Sequence, residues 1–465
     1  MSTSRARTRL LTGGATAVVA VAALLLAGCS SSGGATGGSS SSSGSAGSTS
    51  AASTGESGSG TSGSGGGITV WVDAPRVPAV QAFEKAHPEI PVKMVQNDGT
   101  IGGQSTKQAF ANFDAAGSGW PDAIFFTSND DIAWATSSQS NYAANLSAVP
   151  ELADVIKGYD PATISFCNIG GQIRCLRNDA APDVFWYDAK FFKDNNYTVP
   201  KSWEDYFTLA IKIAKDHPGK ISGFLGDAYA VNRYLQAANC PTNSPKSETE
   251  VVLNPQNPNC TKMGQLLDQA YQAKALSPLG VFDADAVKAS TNLVMTPGAL
   301  WYGSYLLQAT WKVPAGNWTA SDPLTWDGKP SMGDEGGGLW GMSSHVTGKE
   351  KENTITFMKF VATDPAWQVD LSTGLPAYGP DQDPWLAKFG TDGYYSNLDQ
   401  LKAAFKSSLA AVAPYQYMLY DTGNVWTQTI PTTLTSGGTM SAALAKFFST
   451  LTDQAKSIGY TVSAG

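Results

Sequence analysis

The sequence predicts an α/β protein with a mostly parallel sheet, and three observations carry this prediction. Strand-like and helix-like runs alternate from residue 68 to residue 126, which is the pattern of β-α-β units. A second α/β region follows over residues 183–213. The chain has 465 residues, of which 42% are hydrophobic, and this is enough for a sizeable core divided between two lobes.

The first α/β region begins with Ile68–Val72, which is rich in β-branched and aromatic residues and therefore predicts a strand. Residues 78–86 predict a helix, and residues 92–95 predict a second strand. Residues 104–116 predict a second helix, and the apolar run 123–126 predicts a buried strand. Strands joined by helices in this order form right-handed crossovers, so we expect these three strands to be parallel.

The second α/β region begins with a strand over residues 183–187. Ser202, with Asp205 three residues later, has the spacing of a capping box and predicts a helix start. Near the C-terminus, residues 440–458 place their apolar side chains on one stripe, which predicts a final amphipathic helix.

The N-terminus has the organisation of a secretion signal, residues 1–28. Three arginines among the first nine residues precede an apolar stretch, 15–26, that is short for a membrane span. The run Leu-Ala-Gly-Cys ending at Cys29 resembles the bacterial lipobox, in which a diacylglycerol is attached to the cysteine and the chain is cut before it. The alternative is an ordinary signal peptide with an incidental cysteine. We expect a lipid anchor that holds the protein at the extracytoplasmic face of the cell membrane.

Residues 29–67 consist almost entirely of Ser, Gly, Ala and Thr. Such a segment cannot bury enough apolar surface to offset the entropy of ordering it, so we expect a flexible tether.

Four further cysteines agree with export, because an even number in an exported chain suggests disulfides. They are Cys167, Cys175, Cys240 and Cys260. Three pairings are open, of which the local one, Cys167 with Cys175 and Cys240 with Cys260, is the simplest. A zinc site is the alternative, but the chain has no CxxC spacing and only three histidines.

Charge and motifs argue against several other functions. The formal net charge of −8 does not suit a nucleic-acid partner, whose phosphates need a basic face. Residues 336–341 match GxGxxG by chance, because a strand-like run follows instead of the helix that a nucleotide loop requires. We predict no cofactor and no metal.

Several segments in the globular part resemble one known family, in matching order and spacing. They are 83–90 (FEKAHPEI), 121–122 (PD), 187–192 (YDAKFF), 199–205 (VPKSWED), 298–305 (GALWYGSY) and 435–444 (TSGGTMSAAL). On these segments the chain is similar to the family 1 extracellular solute-binding proteins of ABC importers, the maltose-binding-protein-like group, from residue 68 to the C-terminus.

The resemblance implies a two-lobed periplasmic-binding-protein-like fold of type II, with mixed, mostly parallel sheets and hinge crossovers. One lobe would contain 68–182 and 339–378, and the other 183–338 and 379–465. A ligand would lie in the cleft between them. The partners implied are a small carbohydrate and the permease subunits of an ABC transporter, and the protein would be a monomer.

Polar side chains that follow predicted strands are candidate ligand contacts, because open α/β sheets bind ligands at the carboxyl ends of their strands. Asp73 follows the first strand, and Asn129 and Asp130 follow the third. Asp227 and Tyr229 follow an apolar pair and resemble an acid and aromatic pair of the family. The alternatives are helix capping, a turn aspartate and a packed tyrosine.

Aromatic side chains could supply the flat apolar surface that a sugar face needs. Tyr305 and Trp426 stand where the family resemblance implies stacking aromatics, and Trp340 and Trp301 are weaker candidates. The alternative for each of them is packing in the core.

The sequence therefore predicts a binding protein, not an enzyme, which captures a sugar or oligosaccharide for an importer. The alternatives are a secreted glycoside hydrolase, a binder of a non-sugar polar solute and a sensor. A hydrolase needs two paired carboxyl groups, and Asp73, Asp130 and Asp227 are scattered along the chain without a recognisable catalytic motif.

Overall fold

The computed structural model describes residues 66–96, 104–128, 130–138, 140–242, 244–247, 249–413 and 420–464. These residues belong to one compact unit. The predicted signal peptide, the lipid site at Cys29 and the ligand contact at Asn129 lie outside the described residues, as does nearly all of the predicted tether. Within the ranges given above, no helix is long and apolar enough to cross a membrane.

The strands are short and are numbered in chain order. They are β1 (Ile68–Val72), β2 (Val92–Gln96), β3 (Ala123–Phe126), β4 (Asn168–Ile169), β5 (Gln172–Ile173), β6 (Leu176–Arg177), β7 (Asp179–Ala180), β8 (Asp183–Asp188), β9 (Ser244–Pro245), β10 (Glu250–Val252), β11 (Met295–Ala299), β12 (Trp318–Ser321), β13 (Thr325–Trp326), β14 (Lys329–Pro330), β15 (Leu339–Met342), β16 (Leu375–Pro376) and β17 (Thr461–Ser463).

The α-helices are numbered in the same way. They are α1 (Val77–Ala86), α2 (Gln104–Ala116), α3 (Asp131–Thr136), α4 (Ala153–Lys157), α5 (Pro161–Ser165), α6 (Ala189–Asp194), α7 (Trp203–Asp216), α8 (Pro258–Gln272), α9 (Ala284–Ala289), α10 (Gly348–Thr363), α11 (Pro365–Gln368), α12 (Gly379–Lys388), α13 (Leu398–Leu409), α14 (Thr422–Thr435) and α15 (Met440–Ser457). Two further segments, Val231–Gln236 and Tyr302–Thr310, are π-helical.

The larger sheet has the strand order β2-β1-β3-β15-β6. Strand β1 is parallel to both β2 and β3, which confirms the β-α-β units expected from the sequence. Strand β15 enters this sheet from much later in the chain and runs antiparallel to β3 and β6. The carboxyl ends of β1 and β3 therefore meet at one edge of this sheet.

A three-stranded sheet, the smaller sheet, has the order β11-β8-β12, and both of its pairings are antiparallel. Another three-stranded sheet has the order β17-β10-β9. The sequence pattern indicates a strand at β8 but does not say whether its neighbouring strands run parallel or antiparallel to it. Both arrangements give the same hydrophobic periodicity along the strand. Helix α7 begins as predicted, since the Ser202 hydroxyl accepts from the backbone N–H of Asp205 at 3.0 Å. The final helix ends at Ser457. The sequence pattern places Ile458 on the apolar stripe of this helix, but Ile458 lies beyond the helix end and is 39% exposed.

The chain passes between the two sheets near β7 and again just before β15. The backbone N–H groups of Asn178 and Asp179 donate to Gly338 O and Gly337 O at 3.1 and 3.0 Å, so these passages lie side by side. Gly337 and Gly338 both have positive φ angles, and a Cβ atom on Gly338 would lie 2.0 Å from the Phe125 ring. The GxGxxG match is thus a tightly packed crossover that leads into a strand. The lobe boundaries stay a prediction.

Both disulfides are present in the local pairing. Cys167 is bonded to Cys175, and Cys240 is bonded to Cys260. The first bond joins the ends of a small hairpin made by β4 and β5. The second attaches the segment after the Val231–Gln236 helix to α8.

Candidate ligand-binding cleft

A polar cluster of Asp73, Arg76 and Asp179 lies at the end of strand β1. Asp73 is the first residue after the strand, and a short turn brings Arg76 back to it, with Arg76 Nη1 3.2 Å from Asp73 Oδ2. Arg76 Nη2 lies 3.6 Å from Asp179 Oδ1. The guanidinium also lies over the Phe125 ring, 4.1 Å from its centroid. One cation is therefore held between two carboxylates and an aromatic face.

One carboxylate oxygen of Asp73 is a candidate hydrogen-bond acceptor for a ligand. The residue is only 4% exposed, and its Oδ1 has no hydrogen-bond partner among the side chains and backbone that the structure describes. Burial raises the pKa of Asp73, while the charge of Arg76 opposes that shift. A buried acceptor of this kind is unfavourable unless another molecule completes its hydrogen bonds.

Asp179 belongs to β7, where the chain crosses between the sheets. Its Oδ1 accepts from Asn178 Nδ2 at 2.7 Å, and its backbone N–H donates to Gly337 O at 3.0 Å. Burial raises the pKa of Asp179, and the Arg76 charge opposes the shift. The polar cluster therefore links the edge of the larger sheet to the crossover.

Four aromatic side chains form an aromatic platform opposite this cluster: Tyr229, Phe282, Trp301 and Tyr305. The Phe282 and Trp301 rings are stacked, with centroids 5.9 Å apart and planes at 13°. Tyr229 and Tyr305 meet the Trp301 ring at 5.9 and 6.1 Å. Phe282 and Tyr305 are 54% and 51% exposed, so this platform has surface available for a ligand.

Tyr229 connects the aromatic platform to the polar cluster. Burial raises the pKa of its hydroxyl, nearby Glu335 and Asp227 raise it further, and Arg76 opposes them. Tyr229 is therefore close enough to Arg76 for the guanidinium charge to lower the pKa of the Tyr229 hydroxyl. Its hydroxyl also lies against the crossover, because a Cβ atom on Gly336 would be 3.3 Å from it. The platform and the polar cluster thus face one candidate cleft.

Beneath the platform, Arg233 is fully buried among three carboxyl groups. It donates to Glu335 at 2.7 and 2.9 Å and to Asp227 at 3.1 and 3.3 Å. Neither oxygen of Asp183 has a hydrogen-bond partner within the described part of the chain. Burial and the neighbouring Glu335 carboxyl raise the pKa of Asp183 well above its usual range.

This ion cluster determines the role that the structure gives to Asp227. Both of its oxygens are engaged by Arg233, and its Oδ1 also accepts from the backbone N–H of Tyr229 at 3.1 Å. The side chain is only 5% exposed. Asp227 therefore positions Tyr229. Direct contact between Asp227 and a ligand stays a prediction, and the buried, fully paired position of the Asp227 carboxylate does not favour it.

Asp130 lies just before α3, at the end of β3, and faces the segment that leads into α14. The charge of Asp130 adds to burial in raising the pKa of Tyr420. Its neighbour Asp131 is buried, which raises the pKa of that carboxyl to about 7, and Asp421 contributes to the shift. Asp130 is thus brought opposite a distant segment of the chain.

Trp340 and Trp426 lie in cores and not in the cleft. Both are 0% exposed. Trp340 Nε1 donates to Asn178 Oδ1 at 2.9 Å, and Trp426 Nε1 donates to Leu225 O at 2.7 Å. The Trp426 ring also packs edge-on against Phe447 at 5.4 Å. These positions fit the core-packing alternative, and ligand stacking by either residue is untested.

Sequence reasoning missed Arg76, Asp179 and Phe282. Arg76 follows Asp73 by one turn, so the end of the first strand was a usable signal. Asp179 enters the cluster only because the chain crosses there, and Phe282 stands in a loop with no periodic pattern. Of the sequence candidates, the structure brings Asp73, Tyr229, Trp301 and Tyr305 to the same cleft.

Two sheets joined by chain crossings, with a cleft of polar and aromatic groups at the crossings, define a two-lobed binding protein. Residues 78–380 match the family model described as bacterial extracellular solute-binding protein. The chain belongs to this family. No curated protein sequence matches it.

Solved structures share the fold. The ABC transporter-associated binding protein of Bifidobacterium animalis subsp. lactis Bl-04, in complex with β-1,6-galactobiose, has a TM-score of 0.68 at 20% identity over 85% of this chain and 99% of that chain. The galacto-N-biose/lacto-N-biose I-binding protein of Bifidobacterium longum has a TM-score of 0.69 at 18% identity over 87% and 100%.

The GacH receptor of Streptomyces glaucescens GLA.O has a TM-score of 0.64 at 17% identity over 85% of this chain and 99% of that chain. These likenesses confirm the type II periplasmic-binding-protein-like fold expected from the sequence.

Proposed function

We propose that this protein captures a sugar or oligosaccharide between the aromatic platform and the polar cluster and delivers it to the permease of an ABC transporter. The observation that carries this proposal is the exposed platform opposite a buried carboxylate whose Oδ1 is unpaired. Sugars have flat apolar faces and rims of hydroxyl groups, and these two surfaces complement both.

The solved structures with this fold support a carbohydrate ligand over another polar solute. They include complexes with β-1,6-galactobiose, lacto-N-biose and acarbose. Two of these proteins are named as parts of ABC transporters.

In the proposed complex, Asp73 Oδ1 accepts a hydrogen bond from a sugar hydroxyl. Arg76, whose guanidinium is held by Asp73 and Asp179, donates hydrogen bonds to the sugar. Trp301, Tyr305 and Phe282 cover the apolar face of the ring. The predicted lobes, 68–182 with 339–378 and 183–338 with 379–465, close over the ligand, because it bonds to residues of both and stabilises the closed state. The closed protein acts as a monomer that docks on the permease.

We also propose that the protein binds its sugar without cleaving it. The test is calorimetric titration of the chain from residue 30 onward with neutral mono-, di- and trisaccharides, followed by chromatography of the recovered sugar. We expect saturable binding and intact sugar. Release of shorter sugars would instead support a glycoside hydrolase, and no binding by folded protein across all of these sugars would refute the carbohydrate proposal.

The proposed location is the extracytoplasmic face of the membrane, with a lipid on Cys29. Cys29→Ser should move the protein from the membrane fraction to the soluble exported fraction and abolish incorporation of radiolabelled palmitate, while sugar binding stays unchanged. Ser30→Ala is the matched control. Equal membrane association of Cys29→Ser and the unaltered protein would contradict the anchor.

A further inference from the structure

A cavity of about 250 Å³ lies outside the candidate cleft. Three separate segments surround it: the π-helix Tyr302–Thr310, the loop 369–373 after α11, and residues 385–395 around the end of α12. Its volume is below the roughly 300–1,000 Å³ of pockets for drug-sized molecules, so it suits one small molecule.

The cavity and the aromatic platform use different faces of one helical segment. Trp301 and Tyr305, four residues apart, belong to the platform. Ser304 and Gln308, also four residues apart, line the cavity. No residue that lines the cavity belongs to the platform or to the polar cluster, so ligand binding in the two places can be measured separately.

One wall of the cavity is a fixed stack of aromatic rings. The Trp385 and Phe389 rings are stacked at 4.7 Å, and the Phe389 and Tyr395 rings at 5.2 Å. Trp385 Nε1 donates to Ser372 O at 3.0 Å, which fixes the wall to the loop 369–373. This apolar surface is therefore formed before any ligand arrives, and little ordering would accompany binding.

Polar groups line the rest of the cavity. Ser304, Thr373 and Gln308 contribute two hydroxyls and an amide, and Gln308 Nε2 is held by Asp392 Oδ2 at 2.7 Å. Tyr395 is only 8% exposed, and its hydroxyl has no hydrogen-bond partner in the part of the chain that the structure describes. That hydroxyl lies against Gly303, where a Cβ atom would be 2.6 Å from it.

The charges disfavour an anionic occupant. Lys388, at the edge of the cavity, forms an ion pair with Asp370. The lining residues therefore contain no further cation to balance the charge of the Asp392 carboxylate. An anionic ligand would meet a net negative surface, whereas hydroxyl groups can donate to a carboxylate and to amide or hydroxyl oxygens.

We propose that this cavity is a second binding site, which takes a single uncharged pyranose or a polyol of similar size. The apolar wall contacts the carbon face of the ring, and the hydroxyl and amide groups bond to its rim. This site does not depend on the proposed function of the cleft.

The test uses the full chain labelled with 5-fluorotryptophan and titrated with D-glucose, D-galactose and D-mannose, observed by ¹⁹F NMR. Trp385→Phe and Trp301→Phe assign the resonances that report on the cavity and on the platform. Thr373 is exposed at the cavity edge, so Thr373→Phe should block the cavity without disturbing the core, and Thr373→Ser is the matched control. Gln308→Leu is a second variant, and thermal melting verifies that each variant folds.

We expect a saturable shift of the Trp385 resonance with at least one sugar. Thr373→Phe and Gln308→Leu should weaken it at least tenfold, while Thr373→Ser retains it. The proposal is overturned if the Trp385 resonance does not move, if it moves only with a dissociation constant weaker than about 10 mM, or if Thr373→Phe leaves the shift unchanged. A shift of the Trp301 resonance alone overturns this proposal and leaves the cleft proposal intact. A shift of the Trp385 resonance alone supports this proposal and does not bear on oligosaccharide binding in the cleft.

Discussion

Replacing Trp301 by alanine tests the aromatic platform most directly, because its ring contacts Tyr229, Phe282 and Tyr305. A tryptophan side chain buries about 200 Å² when fully covered. If a bound sugar covers half of that, about 100 Å² at about 25 cal/mol/Å² gives about 2.5 kcal/mol. Trp301→Ala should therefore weaken sugar binding by roughly 60-fold.

The controls separate lost contact from lost stability. Trp301 Nε1 donates to Glu335 O at 2.7 Å, so both Trp301→Ala and Trp301→Phe leave that carbonyl unpaired and cost about 1–3 kcal/mol of unfolding free energy. Only Trp301→Phe keeps a ring on the platform, and we expect it to bind within about fivefold of the unaltered protein. Trp426→Phe should lower stability and leave affinity unchanged, because Trp426 is fully buried.

The assay is calorimetric titration with the tightest-binding saccharide, alongside denaturant unfolding of each variant. Affinity of Trp301→Ala within twofold of the unaltered protein would refute the platform as a ligand surface. A loss of affinity in Trp426→Phe equal to that of Trp301→Ala, in folded protein, would instead return the stacking role to Trp426.

Three further predictions concern the polar cluster and the buried ions. Asp73→Asn should weaken sugar binding by roughly tenfold without changing the melting temperature, because it weakens a charge-assisted hydrogen bond. Calorimetric titration measures the affinity, and an unchanged affinity would contradict the prediction. Arg233→Met should cost about 3–5 kcal/mol in denaturant unfolding, because it leaves buried carboxyls without their cation; a loss below about 1 kcal/mol would be inconsistent with this. Burial raises the pKa of Glu335 from 4.5 to about 7, so the folded state holds an extra proton between these pH values. The unfolding free energy should therefore fall as pH rises through that window. A plot of unfolding free energy against pH that is as steep for Glu335→Gln as for the unaltered protein would contradict this assignment.

The sequence allowed the first sheet and part of the cleft to be predicted, because both depend on local patterns. The run from β1 to β3 alternates strands and helices, and this places Asp73 and Asp130 at strand ends. The Ser202 cap was predictable for the same reason, since its bond to Asp205 spans only three residues.

The remaining parts of the site depend on contacts between distant residues, which periodicity does not contain. Asp227 follows an apolar run as a ligand contact would, yet Arg233, six residues later, occupies both of its oxygens. Trp301 and Trp426 are equally aromatic, and only the tertiary structure shows that one lies in the platform and the other in a core.

The ion cluster beneath the platform has a consequence for how ligand preference can change during evolution. The Tyr229 hydroxyl lies close to the Glu335 and Asp227 carboxyl groups, and Trp301 Nε1 donates to the backbone carbonyl of Glu335. A substitution at either position therefore alters the surroundings of the buried charges. Phe282 and Tyr305 are more than half exposed. Substitutions at these two positions can reshape the sugar-facing surface at little cost in stability, and divergence among close relatives should concentrate there.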